Sequence, residues 1–145
     1  MGTIRYSDAA AGAMLDGSGG LIGFLNTGAG TATIEFYNLT MPTTGDTALG
    51  SQVLLATLTL SDPVEAGASA SRAVTLDTIT GANAVADGTG TFAILYNANG
   101  DRAALVDVGN LTSSAVIKLS STSFYSGQAV NLSAATISIP TTLSI

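Results

Sequence analysis

The chain predicts an all-β fold, an antiparallel β-sandwich preceded by a short N-terminal helical segment. Three observations carry that prediction. From Thr31 onward, apolar and hydroxyl-bearing residues alternate with a period of two in one run after another, the pattern of strands with one buried face. Clusters of Gly, Pro, Asn and Asp separate seven or eight such runs at a spacing of roughly 10–20 residues, as in antiparallel sandwiches and barrels. No helical period alternates with the strands, which argues against an α/β fold.

The elements follow in order. "MGTIRYS" (Met1 to Ser7) precedes the first capping signal and reads as an arm too short to have a core of its own. Between Tyr6 and Gly30, Ser7 or Asp8 offers a cap to Ala9, Ala10, Ala11, Ala13, Met14 and Leu15. "GSGG" (Gly17 to Gly20) interrupts that helix, and "LIGFLN" makes a second short turn ended by Gly28. "TATIEFYNL" then sets Ala32, Ile34, Phe36 and Asn38 on one face and Thr33, Glu35 and Tyr37 on the other. "MPTTGDTALGS" (Met41 to Ser51) is a loop.

"QVLLATLTL" is the next strand, with Leu54, Ala56, Leu58 and Leu60 on one face and Thr57 and Thr59 on the other. Asp62-Pro63 ends it, because Pro cannot donate to the ladder. Arg72 to Thr80 reads as a third strand. Phe92 to Asn97 and Arg102 to Val108 form a hairpin around "NANGD", whose Asn-Gly step suits a tight turn. "SAVIKLSS" and Val130 to Pro140 complete the pattern. The expected core is Ile34, Phe36, Leu54, Leu58, Leu60, Phe92, Ile94, Leu105, Ile117, Ile137 and Ile139. Residues 1–30 are expected to form the arm and helical, Gly-rich segment, and residues 31–145 the sandwich. No repeat or linker divides them.

Composition excludes several functions. The 145 residues suffice for one domain with a core. Only 10% are charged, against the usual fraction of about a quarter. A surface so poor in charge suits a chain that lies against other protein. Net charge is −6, and the four cations, Arg5, Arg72, Arg102 and Lys118, are dispersed. Neither nucleic acid nor an anionic membrane surface is therefore an expected partner. The chain has no Cys or His, which removes thiolate chemistry, the usual zinc ligands and a Ser-His-Asp triad. The N-terminus shows no signal-peptide pattern and no apolar stretch reaches membrane-spanning length, so a soluble, intracellularly made protein is expected.

No candidate site survives its plainer reading. "GSGGLIGFLNTGAG" lacks the Lys and the preceding strand of a phosphate loop and reads as a connection. "NANGD" resembles half a calcium loop without the distal Glu and reads as a turn. Asp62, Glu65, Asp77, Asp87 and Asp107 sit near strand ends, where a glycosidase pair is one reading and solvated loop charge the other. The sequons at Asn38, Asn110 and Asn131 reflect a composition rich in Asn, Ser and Thr. Phe92, Tyr96, Phe124 and Tyr125 read as core and seam residues. No catalytic residue, cofactor or metal is expected.

Four phrases then stand out by their order: "ATIEFYN", "GSQVLLATLTLSDP", "GTGTFAILYNANGDRAALVDVG" and "VNLSAATISIP", after an Ala-, Leu- and Asp-bearing helical stretch. This order resembles a family of small tailed-phage and prophage virion structural proteins across most of the chain. The chain departs from the family wording at "EFYN" (Glu35 to Asn38), in a central hairpin without Trp or an aromatic-Arg pair, and in the extra glycines of the helix. The resemblance implies a jelly-roll-like β-sandwich that acts as a capsid cement, or decoration, protein. It would be made in the bacterial cytoplasm, sit on the outer surface of the virion capsid and clamp neighbouring major capsid protein subunits. Self-association as a homodimer is expected, with a trimer as the alternative. A tail, baseplate or fibre module is the runner-up, and a β-scaffold hydrolase acting on host envelope glycans is the third reading. The residues expected to touch a partner are Ile4, Arg5 and Tyr6, an apolar-cation-aromatic set.

Overall fold

Ser7 joins the first two elements of the chain, and its side chain explains where each begins. A computed structural model describes residues 2–15, 19–67, 73–132 and 136–138, the side chains of residues 73 and 136–138 excepted. The N-terminal residues form a strand, β1 (Ile4–Tyr6), followed at once by α1 (Asp8–Leu15). Ser7 is buried between them. Its Oγ accepts from the Ala10 amide at 3.1 Å, so Ser7 is the N-cap of the two the sequence offers, and donates to the Arg102 carbonyl at 2.7 Å. One hydroxyl therefore starts the helix and ties it to the sheet. A short second helix, α2 (Gly20–Leu25), ends at Asn26. The Asn26 side chain accepts from the Val64 amide at 2.9 Å and donates to Glu65 Oε2 at 2.8 Å.

The remaining elements are strands: β2 (Thr33–Tyr37), β3 (Leu54–Leu60), β4 (Ala73–Thr75), β5 (Ile79–Thr80), β6 (Ala82–Asn83) and β7 (Gly88–Thr89). They continue with β8 (Phe92–Tyr96), β9 (Arg102–Asn110), β10 (Ile117–Leu119), β11 (Ser123–Phe124), β12 (Ala129–Val130) and β13 (Thr136–Ser138). The main sheet runs β1-β9-β8-β2-β3-β5 and is antiparallel throughout that order. β10 lies parallel to the far end of β9, so β1 and β10 share one edge of that long strand.

The second layer is a broken ribbon. β7 pairs with β11, β6 with β12 and β4 with β13, all antiparallel. Paired residue numbers add to 212 in the first two ladders (89 with 123, 82 with 130) and to 211 in the third (75 with 136). The three small sheets thus follow one ladder with a single one-residue slip. Between the ladders the chain turns to other partners. β5 joins the main sheet beside β3, and the Val85 amide donates to the Leu55 carbonyl at 2.8 Å. The same segment therefore serves both layers and closes one side of the sandwich.

The core lies between the layers. Ile34, Phe36, Ala56, Leu58, Leu60, Ala93, Leu95 and Val106 face the ribbon and helices and pack with Ala10, Leu25, Leu76 and Phe124. The Phe36 and Phe124 rings meet at 5.6 Å between centroids. The architecture is the all-β sandwich with a small helical segment that the sequence predicts.

The structure corrects three details. Leu54 is half-buried, whereas Leu55 is fully buried. The register shifts between Phe36 and Tyr37, so strict alternation fails where β3 begins, and Leu54 turns to the opposite face. The strand expected from Arg72 to Thr80 is split into β4 and β5. Leu76 turns into the core and Asp77 Oδ1 accepts from the Thr78 amide at 2.7 Å, which breaks the extended run. Tyr125, read as a core or seam residue, is 62% exposed. Ile34, Phe36, Leu58, Leu60, Phe92, Ile94, Leu105 and Ile117 are buried as expected. The side chains of Ile137 and Ile139 lie outside the described residues, as does Arg72.

Candidate functional site

The other face of the main sheet has no second layer among the described residues. It is instead divided into a covered half and an open half. On the covered half, Phe92, Ile94, Leu105 and Tyr37 are buried beneath the loop between β2 and β3, whose Met41 and Leu49 pack on them. Tyr37 and Phe92 stack at 5.5 Å between centroids. Two arginines hold the loop down. Arg5 Nη1 donates to the Met41 carbonyl at 3.3 Å and to the Pro42 carbonyl, and Arg102 Nη1 donates to the Thr47 carbonyl at 2.6 Å. The loop also passes so close to the junction of β1 and α1 that a side chain at Gly45 would strike the Tyr6 carbonyl and the Ser7 amide. Two of the four cations are thereby used inside the molecule.

The open half is built from β2, β3, β5 and the end of β8. Thr33 pairs with Thr59, Thr59 with Thr80, and Thr33 with Tyr96 on its other side. These residues form one row across four strands, about 4.8 Å apart from strand to strand. In the next row Glu35 pairs with Thr57 and with Ile94. Thr33, Glu35, Thr57, Thr59 and Tyr96 are half-buried, Tyr96 against the covered cluster, and Thr80 is exposed.

Among the described residues, Glu35 is the one carboxylate on this surface. Its Oε2 accepts from the Tyr37 hydroxyl at 2.6 Å. Burial pushes the Tyr37 phenol far above the ordinary tyrosine value. The Glu35 hydrogen bond, the Glu35 charge and neighbouring Tyr96 add to the rise. Tyr37 therefore remains a proton donor to Glu35 at any ordinary pH. Among the described residues, no Lys or Arg pairs with Glu35, since Arg5 and Arg102 bond loop carbonyls. The other carboxylates behave differently. Asp46, Asp87 and Asp107 each accept from a backbone amide at 2.7 or 2.8 Å, and Glu65 accepts from Asn26. They close loops in separate places. Among the described residues there is no group of three or more His, Cys, Asp or Glu placed to hold a metal.

The candidate partner residues Ile4, Arg5 and Tyr6 are placed in β1, paired with Val106, Leu105 and Ala104 of the same chain. Ile4 is half-buried against the core and Arg5 serves the loop, while Tyr6 is 37% exposed. The "NANGD" segment is the hairpin turn. Asn97 is buried, and its Oδ1 accepts from the amides of Asn99 at 3.0 Å and Asp101 at 2.8 Å. Gly100 supplies the positive φ of 88°, and the Gly100 amide donates to the Asn97 carbonyl at 3.0 Å. The loop is thus longer by a residue than the minimal Asn-Gly hairpin and carries a register shift beside it.

A further cleft of about 300 Å³ lies between β10, β11 and β12, lined in part by Lys118, Ser121, Ser123, Gln128 and Asn131. Sequence reading missed the open face because its residues come from four strands whose pairing no local pattern reveals. The alternation of Thr57 and Thr59, and of Thr33 and Glu35, was the available signal. Comparison with known protein families, curated proteins and solved structures finds no match.

Proposed function

We propose that this protein is a phage capsid cement, or decoration, protein that binds the outside of the shell and clamps neighbouring major capsid protein subunits. The observation that carries the reading is the order of the four phrases that resemble the tailed-phage virion family. "ATIEFYN", "LLATLTLSDP" and "FAILYNANGDRAALVDVG" contain β2, β3 and the β8–β9 hairpin, the centre of the main sheet. A low charge content and a sheet face without a second layer among the described residues also support a life spent against other protein. Many symmetry-related copies would add modest contacts into a large total, so no single contact need be strong.

The test is to add the purified protein to shells assembled without it. Saturable attachment in proportion to the capsid subunits, with a raised temperature of shell rupture, is the expected result. Attachment confined to tails or baseplates would replace this reading with that of a tail module. Shells that rupture at the same temperature with and without the protein would refute cementing.

A further inference from the structure

We propose that Asn99, at the tip of the β8–β9 hairpin, is a self-modification site. Its side chain closes onto the Gly100 nitrogen to form a succinimide, which water opens to aspartate or isoaspartate, at a rate set by the turn that Asn97 holds. The reaction needs an asparagine side chain free to move, a following residue whose own side chain does not block approach, and access to water. Asn99-Gly100 is the one Asn-Gly step in the chain, and both residues are exposed. Gly100 has no Cβ, and one placed there would meet nothing within 4 Å. Among the described residues, no hydrogen bond holds the Asn99 side chain. Its Oδ1 rests over Gly28, whose missing side chain leaves it room.

The other asparagines lack this combination. Asn26, Asn38 and Asn110 have their side chains bonded to the amides of Val64, Val53 and Thr112. Asn97 is buried, and Asn83 and Asn131 precede Ala84 and Leu132, whose side chains hinder attack. The related Asp87-Gly88 step is held on both sides. Asp87 Oδ1 accepts from the Ser126 amide at 2.7 Å, and Gly88 is paired with Phe124.

The step balances within the chain and water. The Gly100 nitrogen loses its proton to hydroxide, and its electron pair forms a bond to Asn99 Cγ. The Cγ–Nδ2 bond breaks and Nδ2 leaves as ammonia. Water then adds to one of the two ring carbonyls. Breaking the new N–Cγ bond gives aspartate; breaking the original bond to the main-chain carbonyl carbon gives isoaspartate. One water is consumed and one ammonia released.

The folded turn restrains that step. The Gly100 amide donates to the Asn97 carbonyl at 3.0 Å, and the flanking amides of Asn99 and Asp101 donate to Asn97 Oδ1 at 3.0 and 2.8 Å. The nucleophile must give up its hydrogen bond and swing toward Cγ, which the bonded turn opposes. Reaction therefore proceeds from a locally opened turn, and its rate follows the population of that open form.

The test follows isoaspartate by enzymatic methyl labelling and locates it by peptide mass spectrometry in protein kept in mildly alkaline buffer. In folded wild type, product is expected at position 99 ahead of every other asparagine. The urea-unfolded chain should convert more than about tenfold faster, because the turn is gone. Folded Asn97→Ala should convert roughly tenfold faster than wild type, since losing the Oδ1 bonds favours the open turn. Leu58→Ala is the control, because it weakens the core and leaves the turn's bonds in place; its rate should stay close to that of wild type. Conversion of Leu58→Ala as fast as Asn97→Ala would mean that reaction runs through global unfolding, and would overturn control by the turn. Equal rates in folded and unfolded wild type would do the same. First conversion at another asparagine, or none at Asn99 in the folded protein once the unfolded chain has fully converted, would overturn the site. Should Asn97→Ala fail to fold, wild type in sub-denaturing urea takes its place. Conversion should then rise in step with hydrogen exchange of the Gly100 amide, and a rate independent of that exchange would refute the inference.

Discussion

Replacing Asn97 by Ala tests how much of the sandwich hangs on one side chain. Asn97 is 2% exposed and sits where β8 leaves the sheet. Its Oδ1 accepts from two amides, and its Nδ2 reaches Asp101 Oδ2 at 3.4 Å. Truncation removes two good bonds, each worth about 1 kcal/mol net. The freed amides belong to Asn99 and Asp101, which are exposed, so water replaces part of what is lost. The expected cost is therefore about 2 kcal/mol, below the range for two orphaned buried donors. For a chain of this length that corresponds to a melting decrease of roughly 4–8 °C.

Urea unfolding should show a lower midpoint with an unchanged slope, because the same surface is exposed. Asn97→Asp is the informative companion. It keeps the acceptor but replaces the Nδ2 donor to Asp101 with a second negative charge, so it should be less stable than wild type, and added salt should narrow the deficit. An Ala variant within about 0.5 kcal/mol of wild type would mean that Oδ1 does not hold the turn.

Other outcomes follow from the same geometry. Leu58→Ala, at a fully buried position paired with Ile34, should cost about 2–5 kcal/mol in denaturant unfolding. Deleting residues 2–6 should cost about 2–4 kcal/mol, because β1 contributes a ladder, half-buried Ile4 and the Arg5 bonds to the loop; unchanged melting would mean that these residues behave as the free arm expected from sequence. Because the folded-state pKa of Tyr37 is raised, its contribution is intact below the ordinary tyrosine pKa of about 10 and is lost as pH rises beyond it. Tyr37→Phe should flatten the fall in denaturant midpoint above that pH, and an unchanged profile would remove Tyr37 as the cause.

Period-two alternation is a local property, and it was enough to place β2 and β3, whereas β8 and β9, buried on both faces, were placed as apolar runs around an Asn-Gly turn. The hairpin was legible because Asn97 to Asp101 carry their turn chemistry within five residues. The N-terminal helix was legible for the same reason, with Ser7 three residues from the amide it caps. Tertiary structure decided what depends on distant partners. Ile4, Arg5 and Tyr6 show too short a pattern to read as a strand, and only the free edge of β9 makes them one. The ribbon of β4, β6 and β7 with β11, β12 and β13 is built from pieces of two or three residues in which Ala and Thr are the commonest. Its register appears only when both halves are laid side by side. The open face is the extreme case. Glu35, Thr57, Thr59, Thr80 and Tyr96 are ordinary outward-facing residues in sequence. They become one surface because strand pairing sets them in rows while the β2–β3 loop, held by Arg5 and Arg102, covers the other half of the sheet.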